Sequence, residues 1–208
     1  MSAHPSPPGA HINHHENIDS QGNANLAVWA GLVALTFMTA TFVASNVYLR
    51  GWSPTKFVLK STILKDLPYY SVLLSVISAV LLVGAATFFV KDRWGAFNGT
   101  LGLATLFYIG LAAVQFQMML RFGHASPQSA TIYAPTAIVQ FLLTVVGVIL
   151  LAVAGWYSGF ASKAKINAFF PVAMNVWLYT AASGIVILLL EDVLTVGQFA
   201  AWCGQHLT

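Results

Sequence analysis

From Ile132 to Ala161 the chain runs for about 30 residues without a charged side chain. A hydrocarbon core of about 30 Å takes about 20 helical residues to cross, at a rise of about 1.5 Å each. This stretch can therefore span a bilayer with residues to spare. Four others meet the same test, at about Leu26–Leu49, Tyr69–Val90, Phe97–Leu120 and Phe169–Leu190. Composition agrees: 58% of residues are hydrophobic and only 7% charged, with a mean hydropathy of +0.75. A soluble domain carries about 25% charged residues, so that class is excluded. The expected fold is an all-α polytopic membrane protein, a bundle of about five transmembrane helices with approximate spans 25–49, 69–90, 97–120, 132–158 and 169–195.

Five spans in 208 residues leave one membrane domain, residues 25–208, with no room for a separate soluble catalytic module. Residues 1–24 form a His- and Pro-rich tail holding Pro5, Pro7 and Pro8 with His4, His11, His14 and His15. No Lys or Arg precedes the first span, so the positive n-region of a secretory signal is missing. The tail is expected to be disordered or ordered by a partner, and its His spacing fits no closed metal site. The single Cys203 cannot form an intrachain disulfide. The nine Lys and Arg are spread over connectors, a membrane-surface pattern that offers no nucleic-acid face. Lys91, Arg93, Lys163 and Lys165 fall on the N-terminal side; Arg50, Lys56, Lys60, Lys65 and Arg121 fall opposite. So even a division gives the chain no orientation by charge.

Local patterns assign further roles. The first span is rich in small and hydroxyl residues (Ala34, Thr36, Thr39, Ala40, Thr41, Ala44, Ser45), as expected of a face packed against another protein helix. Arg50, Trp52, Lys56 and Lys60 then anchor its end among headgroups. Pro68 is placed to start the second helix, where a missing N–H costs nothing. Ser71, Ser75 and Ser78 make a packing stripe along it. Lys91-Asp92-Arg93-Trp94 leaves room only for a tight turn. Pro135 is expected in the first turn of the fourth helix, which starts near Ile132.

No catalytic constellation is present. All six His are expected outside the spans, against a bis-His haem, and no inward His or carboxylate cluster suits copper or di-iron. Phosphate loops, nucleophile–base pairs and Cys clusters are missing too. The polar residues in hydrocarbon are Gln115, Gln117, Gln140 and Asn175. Interhelical hydrogen bonding accounts for them, worth roughly 0.6–2 kcal/mol each; contact with a lipid or quinone headgroup is the sharper alternative. Glu191 and Asp192 either end the last span in the headgroup zone or pair with a cation on a neighbouring subunit. Arg50, Trp52, Arg93, Trp94 and Arg121 are candidate lipid-headgroup contacts, with generic interfacial anchoring as the plainer account.

The order of features resembles subunit III of the haem–copper oxidases in its five-helix bacterial form. The resemblance rests on Phe42-Val43-Ala44-Ser45-Asn46-Val47-Tyr48-Leu49-Arg50 closing the first helix, and on the Ser-rich second helix with its Lys91-Asp92-Arg93 turn. Leu101-Gly102-Leu103-Ala104-Thr105, Gln115, Val146-Gly147-Val148 and Trp177 follow in order. The chain departs from the family at Met118, where the family has Glu. Gln140-Phe141-Leu142-Leu143 stands for a His-Gly-Leu-His run, and Trp177-Leu178-Tyr179-Thr180-Ala181 for Trp-His-Phe-Val-Asp. The resemblance implies a divergent, non-catalytic subunit of a cytochrome c or quinol oxidase in aerobic electron transport, packed beside the catalytic subunit I and binding phospholipid. Haem and copper are then expected in partner subunits and none in this chain. It also implies the bacterial cytoplasmic membrane, with the N-terminus in the cytoplasm. The family's proton-handling residues do not carry over. Alternatives are a small subunit of another respiratory complex (nitric-oxide reductase-associated or quinol-oxidising), an assembly factor, or a small transporter. The lack of intramembrane charge and of mid-span breaks argues against the last.

Overall fold

Four of the five apolar stretches, as far as they are described, lie within one long helix each, and the fifth runs from a helix into a π-helical turn. A computed structural model describes residues 12–53, 57, 62–124, 126–160 and 163–193. They form α1 (Ile12–Trp52), α2 (Thr62–Val90), α3 (Trp94–Gly123), α4 (Pro127–Phe160) and α5 (Lys163–Leu188), and α5 runs on into a π-helical turn, Leu189–Val193. All five helices are long and apolar enough to cross a membrane, and the described residues hold no strand. The protein is an all-α polytopic bundle. Residues 1–11, with Lys56, Lys60, the expected end of the last span at 194–195, Cys203 and His206, lie outside the described residues.

The helices overrun the predicted spans. Backbone carbonyls and amides must be satisfied internally in hydrocarbon, but a helix that has left hydrocarbon can continue into the headgroup zone. Thus α1 starts at Ile12, so residues 12–24, expected to be disordered or ordered by a partner, are helical and continuous with the span. Pro68, Pro135 and Pro171 lie inside α2, α4 and α5. Pro68 does not start α2, and Pro135 is a full two turns into α4. The proline at the first helical position is Pro127. Each internal proline removes the bond to the carbonyl four residues back, and each lies near its helix start, where water can reach the freed carbonyl.

Packing follows chain order: α2 on α3, α3 on α4, α4 on α5, with α5 closing back onto α2. α1 leans on the outside of this four-helix unit, touching α4, α5 and the π turn. Two apolar cores stand at opposite ends. One joins Leu82, Phe97, Tyr108, Leu151, Phe170 and Trp177, and its rings pack edge to face, Phe97 to Phe170 at 5.4 Å and Phe170 to Trp177 at 5.7 Å. The smaller core gathers Phe122, Ile132, Tyr133 and Ala137. Between them runs a polar belt that includes all three residues of the serine stripe, Ser71, Ser75 and Ser78, each buried.

The α2–α3 turn is as tight as its sequence implies. Asp92 sits at φ 54°, a left-handed backbone that Asp tolerates and branched residues do not. Its carboxylate meets Lys163 at 3.4 Å, with both side chains largely exposed, and the Lys163 ammonium lies 4.9 Å from the Trp94 ring centre. An ion pair this exposed is worth at most about 1 kcal/mol, so the backbone should dominate. Asp92→Val is expected to destabilise by about 1–2 kcal/mol, Asp92→Gly to be tolerated, and Lys163→Ala to be near neutral. Thermal unfolding in detergent reads all three; equal losses for Val and Gly would shift the blame to the ion pair.

Candidate functional site

The polar residues singled out in the spans separate into inner and outer ones. Gln115 is 3% exposed; its amide donates to Ser71 Oγ at 3.3 Å and its carbonyl accepts from Thr144 Oγ1, linking α2, α3 and α4. Gln140, also buried, donates to Ser183 Oγ of α5 at 2.9 Å. Asn175 is half-buried and donates to Asn25 Oδ1 at 3.1 Å, fastening α1 to α5 at the N-terminal side of the bundle. Interhelical bonding is thus the structural role of these three. Gln117 departs from the expectation: it is exposed on the outer face of α3 and bonds to no described residue.

Glu191 is turned into the bundle. The expected alternatives were an end of the span in the headgroup zone or a cation on a neighbouring subunit; the side chain is 3% exposed, and Oε2 accepts from Thr136 Oγ1 of α4 at 3.1 Å. The nearby cation belongs to this chain: Arg50 of α1 donates from Nη1 to the Glu191 backbone carbonyl. The π turn carries Glu191; such turns are rare and often mark functional positions. Asn46, fully buried, completes this end by donating to the Ile132 carbonyl at 3.2 Å. Among the inner polar groups lies a cavity of about 40 Å³, walled by Ser71, Gln115, Thr136, Gln140 and Glu191 and by the apolar Met118 and Phe122.

The second feature is larger and faces outward. Between α1 and α5 opens a cleft of about 750 Å³, lined by Thr39, Ala40, Val43, Ala44 and Val47 on one wall and by Val186, Ile187 and Leu190 on the other. Its small and aliphatic lining offers few hydrogen bonds. At one end Thr36 and Tyr179 share a hydrogen bond of 2.9 Å. At the other Tyr48 lines the wall and stacks on the exposed Trp52, ring centres 6.3 Å apart.

The five candidate headgroup residues do not converge. Arg93 and Trp94 stand at the α2–α3 turn, while Arg50, Trp52 and Arg121 stand at the opposite ends of α1 and α3. None of the five lines the cleft; Trp52 stacks on Tyr48, which does, and Arg50 bonds to the carbonyl of Glu191, next to the lining Leu190. Of the His residues within the described backbone, His14 and His15 precede the candidate span of α1, Gly22–Trp52, and His124 caps the C-terminus of α3. No cluster of three metal-ligating side chains occurs among the described residues.

Fold and site together define an all-α polytopic membrane protein with an outward-facing cleft and a small inner cavity. No protein-family model matches the chain, and no curated protein matches it.

Proposed function

We propose that this protein is a non-catalytic, subunit III-like membrane subunit of a respiratory haem–copper terminal oxidase, which flanks the catalytic subunit and seats phospholipid. The order of sequence features motivates the oxidase assignment, and the α1–α5 cleft is the observation that carries the lipid role. Its volume lies within the range of ligand pockets, about 300–1,000 Å³, and its walls are of a chemistry that suits acyl chains. Arg50, Tyr48 and Trp52 stand at its rim, where a phosphate and glycerol backbone would lie. Guanidinium has five N–H donors, so the bond to the Glu191 carbonyl leaves others for a phosphate. In this reading haem and copper belong to partner subunits, the membrane is the bacterial cytoplasmic one, and the N-terminus is cytoplasmic.

A separate face suits the partner. Ala34, Met38, Thr41 and Ser45 recur at helical spacing on α1 and are exposed to the outside of the bundle. Small side chains permit close helix approach in a membrane, and among the described residues no helix covers this face.

Gentle solubilisation, capture through a tag on this chain and a reduced-minus-oxidised visible spectrum test the assignment. Haem bands together with a large copper-bearing polytopic subunit support it. Haem without copper points to another respiratory complex, and a colourless preparation of this chain alone overturns the respiratory reading in favour of a transporter. The lipid role has its own check. Ala40→Trp and Ala44→Trp project bulk into the cleft, and are expected to remove most co-purifying phospholipid, measured as phosphorus per chain, while the bundle stays folded. Unchanged phosphorus would rule out the cleft as the seat.

A further inference from the structure

We propose that the inner cavity is a proton-binding site, in which about three waters join the Gln140 carbonyl to the Glu191 carboxylate. The first ground is an unmet acceptor. Gln140 is 6% exposed and its amide nitrogen is engaged by Ser183, yet Oε1 has no protein donor. That oxygen lies beside Gly184, itself a wall of the cavity. A buried carbonyl without a donor is costly, and water is the donor that fits a space of about 40 Å³ whose largely apolar wall carries the polar groups of Ser71, Gln115, Thr136 and Glu191.

The second ground is the carboxylate. Glu191 is the one carboxylate among the lining residues. Among the described residues the ionisable groups facing it are Arg50 from α1, bound to its backbone carbonyl, and Tyr133 from α4 in the cavity wall. From α2 come Pro68, Ser71 and Val72, and from α3 Gln115, Met118 and Phe122, none of them titratable. An ionisable group at the edge of hydrocarbon, joined to a hydrated space, can exchange a proton with water.

The site lies at one end of the bundle. Glu191 is level with Arg50, near the C-terminal end of α1, which donates to its backbone carbonyl, and Gln140 lies one helical turn inward from Thr136, about 6 Å. Beyond Gln115 and Thr144 the bundle is filled by Tyr108 and Trp177, each 1% exposed. The inlet therefore ends blind: it stores a proton and does not conduct one. In uptake a hydronium ion gives its proton to Glu191, leaving water and a neutral carboxylic acid; release is the reverse and needs no other reactant.

Infrared difference spectroscopy of the purified full chain in nanodiscs, stepped in pH in H₂O and in D₂O, tests this. The wild type is expected to show a protonated-carboxyl band that appears on acidification and shifts in D₂O. Glu191→Gln should lose it. Thr136→Val, which deletes the donor to Oε2, should move the band, and Gln140→Leu should slow its exchange with D₂O. Thr136→Val changes no charge and keeps the test sharp if Glu191→Gln fails to fold. A band that persists in Glu191→Gln, stays in place in Thr136→Val, or ignores D₂O overturns the proposal.

Discussion

Gly147→Ala is expected to destabilise the bundle by about 1–3 kcal/mol, through overpacking of a close-packed interior. Gly147 lies in the middle of α4 against α3. A Cβ added there would stand 2.5 Å from Tyr108 Cε1, 2.6 Å from its hydroxyl and 2.8 Å from Cζ. The ring cannot simply step aside, because Tyr108 is 1% exposed within the larger core. Either α3 and α4 move apart or Tyr108 leaves its rotamer, and both loosen the aromatic packing beside it. Thermal unfolding in a fixed detergent measures the loss. Tyr108→Phe should give no rescue, since Cε1 is the nearest atom. Tyr108→Leu combined with Gly147→Ala should recover part of the loss, giving a non-additive pair as contacting residues do. Additive losses would mean the two residues do not compete for one space. Gly102, by contrast, meets nothing within 4 Å of an added Cβ, and Gly102→Ala should be neutral or mildly stabilising.

That contrast marks where sequence is informative. The spans are legible because a lipid environment imposes one demand on every residue crossing it, so a run without charge is enough to place a helix. Helix ends carry no such demand. Pro68 and Pro135 read as first-turn residues only if a helix stops where hydrocarbon stops, and α2 and α4 extend beyond it. Polar residues within the spans were recognisable as a set, but not which of them face inward. Gln115 and Gln117 are two residues apart, turned about 200° from each other on a helix, so one faces the bundle and the other the membrane. Periodicity could have separated them. Glu191 was harder to place. One turn of helix decides between headgroup and interior, and a π turn, which the sequence does not announce, lies across that boundary. Nor does anything in the chain pair Gly147 with Tyr108, since such a contact depends on the rotation and separation of two helices.

Trp177→Ala should give the larger loss, about 3–5 kcal/mol for truncation of a buried Trp. Trp177 is 1% exposed, packs its ring against Phe170, and donates from Nε1 to the Gly147 carbonyl at 3.1 Å. It therefore closes the seam between α4 and α5 at the same glycine whose contact with Tyr108 closes the seam between α3 and α4. Lipid tails are as apolar as the core, so little of this loss comes from the hydrophobic effect. It comes from dispersion contacts that the cavity no longer makes. The hydrogen bond is the smaller share, about 1 kcal/mol. Trp177→Phe, which keeps much of the ring volume and deletes the donor, separates the two. If packing dominates, Trp177→Phe loses about a third of what Trp177→Ala loses, and Trp177→Ala on a Gly147→Ala background is sub-additive because both disturb one contact set. If Trp177→Phe is as damaging as Trp177→Ala, the indole N–H holds α5 to α4, and the seam depends on one polar contact instead of on close packing.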